Sequence, residues 1–362
     1  MDDFATLQQV AARARRNLTK NTWDYLMGGT ETETTLKRNR LALDSLALRP
    51  RILRDVAEVD TGTSFLGHRI RLPVMLAPIG SLQLIEAGGA VTAAEVAAAY
   101  QTVYFCSSVT NPGRDEVGAA SNSPKVFQLY VRGDRSWVDE QVKRAIDAGF
   151  EMFCLTVDTA YYSRRERDLI KRWQPSARRG RGDEGGDFQK KLTWDDVKHF
   201  KGTHDIPLIL KGIGTAEDAD IACEHGVECI HVSNHGGRQL DHGRGSVDVL
   251  PEVVAAVAGR ASVIVDGGFL RGTDVIKALA LGADAVCIGK LQGLGLAAGG
   301  KDGLFHLLRL LESEIRTSMS LLGLHNFDEI DSSFIEEAEP VIDPHQLSPY
   351  IHLNFEELEY DR

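Results

Sequence analysis

The chain lacks most of the features that assign a protein quickly. Cysteine is scarce, and the five present (Cys106, Cys154, Cys223, Cys229 and Cys287) are odd in number, lack CxxC spacing and sit mostly inside apolar runs. That pattern argues against a disulfide framework or a zinc site and fits reduced thiols in a core. No apolar run reaches the roughly 20 residues that span a bilayer. The start, "MDDFATLQQVAARARRN", carries early acids and an amphipathic rhythm rather than a basic start followed by an apolar stretch. A cytoplasmic protein without a membrane anchor is expected. Positive charge is also in deficit, with 41 Lys and Arg against 52 Asp and Glu and a net charge of −11. A phosphate backbone attracts a basic face, so nucleic acid is not an expected partner.

What is present is internal similarity. "AGFEMFCLTVD" from Ala148, "HGVECIHVSN" from His225 and "LGADAVCIGK" from Leu281 each place a glycine suited to ending a helix ahead of a short apolar strand that closes on a small or polar residue. Eight such strands are predicted, namely "PVMLA" from Pro73, "VYFC" from Val103, "KVFQLY" from Lys125, "MFCLTV" from Met152, "PLILK" from Pro207, "CIHVS" from Cys229, "SVIVD" from Ser262 and "AVCIG" from Ala285. Amphipathic patterns such as "SWVDEQVKRAIDAG" and "GTDVIKALALG" separate them. Strand and helix alternating eight times predict an α/β chain folded as a (β/α)8 TIM barrel, a single unit over 1–362. The alternative, a doubly wound open sheet, is weakened because "APIGSLQLIEAGG" follows the first strand where a G-x-G-x-x-G would stand.

Residues 1–60 are expected to form a helical extension packed on the barrel, helical to about Arg54, with "TSFLGHRIRLP" as a hairpin around Gly67. The stretch 159–193 is long, rich in Arg and Gly and without apolar periodicity. It leaves the C-terminal end of the fourth strand, so it is expected to be a flexible active-site loop.

Side chains at the C-terminal ends of barrel strands converge on one face. Those ends carry Ala77 to Gly80, Ser107 and Ser108, Gln128 and Tyr130, Thr156 and Asp158, Lys211, Ser233 to His235, Asp266 to Gly268, and Gly289 with Lys290. His235 is the candidate general base, since imidazole titrates near neutrality, and Asp158 the candidate partner that fixes its tautomer. His231 shares side-chain parity with His235, but no carboxylate-histidine ligand set accompanies it and no metal is expected. Lys211, after the apolar "PLIL", is expected near an anion or an electron-poor ring, with a Schiff-base lysine as another reading. Arg165 and Arg238 offer planar paired donors for a carboxylate, whereas Arg164 and Arg167 are expected to face solvent. The glycines after the seventh and eighth strands occupy the quarter where such barrels bind phosphate. Gln239 and Asp241 are expected to stabilise the turn.

The residues also match a family. "SNHGGRQLD", "WDYLMGG", "LAPIG", "FQLY", "LTVDT", "RRERD", "LKG", "VDGG", "RGTDVIKALALGADAVCIG" and "NRLALDSLALRPRIL" together resemble the FMN-dependent 2-hydroxy acid oxidising enzymes, which include glycolate oxidase, lactate oxidase and mandelate dehydrogenase. The resemblance implies oxidation of an L-2-hydroxy acid to the 2-oxo acid with FMN at the C-terminal face of the barrel. It implies Tyr25 and Tyr130 on the substrate, Arg165 and Arg238 on its carboxylate, and His235 as base with Asp158. Lys211 would lie at the flavin N1/O2 edge. Pro78, Ile79 and Gly80 would line the ring near N5. Ser107, Gln128, Thr156 and Ser233 would bond the ring or ribityl chain, and Asp266, Gly268, Gly289 and Lys290 would serve ribityl and phosphate. A homo-oligomer, tetramer or octamer, and an electron acceptor that is oxygen, a quinone or another carrier are further implications. A modified peptide or natural product as substrate is the other reading that keeps the flavin.

Two positions depart from that family pattern, Leu270 and Lys290, where arginines are usual, so weaker FMN retention is expected. Gly80 and Val109 replace larger residues and imply a roomier pocket, hence a substrate bulkier than glycolate, aromatic or long-chain.

Overall fold

The computed structural model describes residues 4–175 and 186–353. Its centre is a closed barrel of eight parallel strands arranged in chain order. These are β1 (Val74–Leu76), β2 (Tyr104–Ser107), β3 (Lys125–Leu129), β4 (Met152–Thr156), β5 (Leu208–Ile213), β6 (Cys229–Val232), β7 (Ser262–Asp266) and β8 (Ala285–Ile288). All eight lie where the apolar runs predict them. Alternation along each strand sends one set of side chains inward, and Met75, Phe105, Val126, Cys154, Ile209, Cys229, Ile264 and Cys287 fill the interior. The other set meets the surrounding helices. The five cysteines are free, and all but Cys223 are buried.

The hairpin around Gly67 forms from Thr63–Phe65 and His68–Ile70, with Leu66 and Gly67 both at positive φ (43° and 85°). Such a turn matches strand twist and tolerates glycine best. Phe65 and Ile70 belong to the same apolar cluster as the barrel interior, so the hairpin plugs the end opposite the polar strand ends.

The extension ahead of the barrel is helical over α1 (Leu7–Asn17), α2 (Lys20–Met27) and α3 (Thr34–Asp44). Helix does not continue to Arg54. Leu46–Leu48 instead pairs antiparallel with Ile335–Glu337, and the chain from Arg49 to Gly62 runs without a helix. "RPRILRD" puts a proline and three arginines into a stretch that has no apolar face to bury. Thr6 and Gln9 form a capping box that starts α1. Helix α3 begins at Glu33, whose side chain does not cap it. Its missing cap comes from far along the chain, because the Asp241 carboxylate accepts from Thr32 N (2.9 Å) and Thr35 N (2.9 Å). Asp241 therefore does more than hold its own turn. It fastens the extension to the loop after β6.

The part of 159–193 that spans 176–185 lies outside the described residues. The flanks are anchored. Buried Gln189 accepts from Val131 N (2.7 Å) and donates to Thr156 O (2.7 Å), bridging the ends of β3 and β4. Gln239 donates to Asp158 O and Tyr161 O (3.0 and 3.1 Å), which secures the outgoing flank.

Candidate active site

A cavity of about 950 Å³ opens at the C-terminal ends of the strands. That is near the upper end of the roughly 300–1,000 Å³ common for small-molecule sites, large enough for a cofactor and a substrate together. Its lining brings together Tyr25, Tyr130, Arg165, Lys211, His235 and Arg238, from α2, β3, the long loop, β5 and the loop after β6. Pro78, Ile79, Gly80, Asp266, Gly268, Gly289 and Lys290 line it as well. Asp158, Gln128, Thr156 and Ser233 stand just behind that surface. Gln128 donates to Thr156 Oγ1 at 2.8 Å, and its Oε1 is buried without a partner. Ser107 is buried at the end of β2 and lines a neighbouring recess with Ser108 and Thr110 rather than the main cavity.

The turn after β6 presents His235. Its backbone is left-handed (φ 60°), followed by Gly236 (64°) and Gly237 (74°). A non-glycine residue in this region is uncommon and is held by its surroundings. His235 N donates to Ser233 Oγ at 3.0 Å, and a Cβ on Gly237 would stand 2.5 Å from Leu36 Cα. Only glycine permits α3 to pack so closely there. Asn234 and Asn39 exchange amide hydrogen bonds (2.7 and 3.0 Å), tying the same turn to α3.

His235 Nδ1 lies 3.1 and 3.2 Å from the two Asp158 oxygens. A carboxylate only accepts, so Nδ1 carries the proton and Nε2 is left with its lone pair. Nε2 lies 3.2 Å from the Tyr130 hydroxyl. Burial pushes the His235 pKa below its usual 6.5, against the opposing pull of Asp158. The ring is consequently neutral at pH 7, ready to accept a proton on the atom that faces the cavity.

Beneath it, Lys211, Ser233, Asp266 and His231 form a buried network. Lys211 Nζ donates to Ser233 Oγ (2.8 Å) and pairs with Asp266 Oδ2 (3.2 Å), while Ser233 donates to Asp266 Oδ1 (2.7 Å). Burial alone would lower the lysine pKa, but Asp266 and Asp158 outweigh it and raise the value. Burial likewise opposes ionisation of Asp266, yet Lys211 and His231 hold its carboxyl well below the usual range. Lys211 is thus a fixed ammonium. A Schiff-base lysine needs its neutral amine, so this geometry disfavours the lyase reading. His231 is completely buried, 3.2 Å from Asp266 Oδ2, and burial lowers its pKa.

Arg238 donates to Tyr25 O (2.6 Å) and Gly28 O (2.9 Å), and its guanidinium lies 5.1 Å from the Tyr25 ring centroid. The Tyr25 hydroxyl donates to Gly80 O at 2.8 Å. Burial and the nearby charge of Arg165 bring the Arg238 pKa down to about 10. Arg165 lies over the Tyr162 ring (4.4 Å), its Nε buried without a partner. Two guanidinium groups side by side, one of them with its charge disfavoured by the other, make a place where an anion is welcome. Arg164 is exposed, as expected, but Arg167 is not simply solvent-facing: it pairs with Glu33 (2.6 Å) and Asp24 (3.4 Å), clamping the loop to the extension.

At the other end of the cavity Leu270 is buried and lines the wall. Arg271 turns away to Glu314 (2.9 Å). Lys290, at the start of a helix, donates to Gly236 O at 3.1 Å, and burial followed by repulsion from Arg238 lowers its pKa. Arg40 also reaches this wall, bonded to Gly268 O (2.6 Å) and Asp274 (2.8 Å). An arginine midway along an amphipathic helix gave no sequence signal of that role.

A model of FMN-dependent dehydrogenases matches residues 14–337. The chain belongs to the FMN-dependent dehydrogenase family. It is 38% identical to an L-lactate oxidase of Nostoc sp. over 347 residues, 89% of this chain and 95% of that protein. To Glycolate oxidase 3 of Arabidopsis thaliana it is 38% identical over 89% of this chain and 93% of the relative. A crystal structure of mandelate oxidase superposes with a TM-score of 0.86 at 35% identity, covering 94% of this chain and all of the other. Among the described residues no helix is long and apolar enough to cross a membrane.

Proposed function

We propose that this family member oxidises an L-2-hydroxy acid to the 2-oxo acid, with the substrate lying between His235 and the Arg165 and Arg238 pair. The observation that carries this reading is a neutral histidine, oriented by Asp158, in one cavity with the buried Arg165 and half-buried Arg238, neither hydrogen-bonded to a carboxylate among the described residues. Burial raises the pKa of the neighbouring Asp168 above its usual value, against the opposing pull of Arg238 and Arg165. The cavity fits the cofactor through the buried unpartnered Gln128 Oε1, the glycines at 267, 268 and 289, and the fixed ammonium of Lys211. FMN, when bound, supplies the two-electron acceptor; the protein supplies orientation and charge. Lys211 would favour negative charge on the ring it faces.

Arg165 and Arg238 grip the carboxylate and fix the alcohol carbon. Tyr130, 3.2 Å from His235 Nε2, bonds the same hydroxyl region. His235 Nε2 takes the substrate proton, and Asp158 stabilises the imidazolium that results. Tyr25 and the loop residues Tyr161 and Tyr162 narrow the mouth.

The substrate class is one bulkier than glycolate. Val109, a small side chain on this wall, supports that reading. Gly80 contributes less, because a Cβ there would meet Val109 Cγ2 at 2.8 Å, so Val109 occupies the room the glycine leaves. The test is anaerobic addition of glycolate, lactate, mandelate and long-chain 2-hydroxy acids to FMN-loaded protein, following loss of the oxidised flavin absorbance. Bleaching fastest with mandelate or a long-chain acid is expected. Glycolate outpacing both would overturn the size assignment, and no bleaching with any acid would overturn the activity.

A further inference from the structure

We propose that the C-terminal segment from His345 to His352 is part of the cofactor site, and that the Gln346 side-chain amide donates a hydrogen bond to the terminal phosphate of FMN. This rests on the reading of the cavity as an FMN site, with the phosphate at its Gly268, Leu270 and Lys290 end. The segment lies beyond residues 14–337, the part of the chain matched by the family model.

The segment is built onto that end of the cavity. The Tyr350 hydroxyl donates to Leu270 O (3.2 Å), and Arg271 reaches Pro349 O (3.5 Å). Ser348 Oγ donates to Asp44 (2.8 Å), the same carboxylate that pairs with Arg40. Leu347, Ser348 and Tyr350 are buried, and His352 N donates to Gln8 Oε1 at 2.8 Å. These contacts fix the backbone that follows Gln346. Its side chain lines the cavity, and the buried amide oxygen has no partner. Rotation of the amide by half a turn exchanges oxygen for NH2 at no cost in shape, so the same buried position can offer a donor.

The other polar groups at this end leave a need for that donor. Arg40 gives its two terminal nitrogens to Gly268 O, Asp274 and Asp44, with only Nε left unpartnered, and Arg271 is paired with Glu314 outside the cavity. Leu270 contributes no charge. Lys290 is half-buried with its amine turned to Gly236 O and Gly28 O, and burial followed by repulsion from Arg238 disfavours its charge, which an incoming phosphate would favour. Gln346 adds a neutral amide to a wall that also carries glycine backbone, Leu270 and the charge-paired Arg40.

The experiment compares Gln346→Ala and Gln346→Glu with the parent full-length holoprotein, following FMN release on dilution by recovery of flavin fluorescence. Each stripped full-length chain is then titrated with FMN and with riboflavin, which lacks the phosphate. Far-UV circular dichroism checks folding. The proposal expects the FMN dissociation constant to rise about tenfold for Gln346→Ala and further for Gln346→Glu, whose charge repels phosphate, with riboflavin binding changed less than about twofold. FMN binding within about twofold of the parent in both variants, or equal losses for FMN and riboflavin, would overturn it. A parent chain that binds neither flavin would instead overturn the FMN reading on which it rests.

Discussion

The two ends of the cavity are built on opposite electrostatic plans. At the His235 end, charge is concentrated: no carboxylate of the described residues is hydrogen-bonded to Arg165 or Arg238, the charge of Arg165 disfavours that of Arg238, and His235 is neutral with Nε2 beside the Tyr130 hydroxyl. At the Leu270 end, charge is withdrawn, since Arg40 is neutralised by Asp274 and Asp44 and Arg271 by Glu314. On the proposed function, the first end would take the substrate carboxylate, and the second would take the FMN phosphate. Between them Lys211 and Asp266 form a closed pair that belongs to neither ligand's carboxylate or phosphate.

Substitutions can break that contrast, and the largest effect is expected at the pair in the middle. Lys211→Met leaves Asp266 as a buried carboxylate without its main counter-charge, and loss of one partner of a buried pair costs about 3–5 kcal/mol. Chemical denaturation of the variant should show that loss, together with weaker flavin binding. Unchanged stability would mean Asp266 is neutralised some other way. Asp158→Asn should come next, lowering the rate of flavin reduction by about 10²-fold or more because the amide lacks the carboxylate's charge and can favour the tautomer with the proton on Nε2.

The same variant sharpens the account through pH. His235 works as a base when neutral, and its pKa already lies below 6.5. Reduction should therefore hold steady down to about that pH and fall only below it. Asp158 is the influence that raises the His235 pKa, so Asp158→Asn should move the acid limb to still lower pH. A shift upward would contradict the assigned pairing. Arg238→Lys keeps charge but loses the paired planar donors, and KM for the hydroxy acid should rise about tenfold with a smaller change in the rate of reduction. The smallest effect is expected for Gly80→Ala, which pushes on Val109 and should slow bulky acids a few-fold while sparing small ones.

The same contrast explains what could be read from the sequence. Strand order, the plug hairpin and the His235 end were legible because each depends on local pattern: an apolar run, a glycine turn, a charged residue at a strand end. Four features were not. Asp241 caps a helix some two hundred residues earlier, Arg167 is clamped by Glu33 and Asp24, and Gln189 bridges two strand ends, all contacts that only the closed barrel creates. Gln346 sits in a polar C-terminal stretch with no periodicity, and its place on the cavity follows from Tyr350 and Ser348 finding partners on Leu270 and Asp44. Leu270 and Lys290 stood out as departures, but that Arg271 turns away from the cavity was visible only once Glu314 was placed beside it.

His235, held neutral and oriented by Asp158, is the proposed base for hydroxy acid oxidation. Anaerobic stopped-flow mixing of FMN-loaded parent and His235→Ala protein with a turned-over 2-hydroxy acid tests it directly. The variant is expected to keep its yellow flavin and to reduce it about 10²–10⁴-fold more slowly. Bleaching of His235→Ala at the parent rate would contradict it.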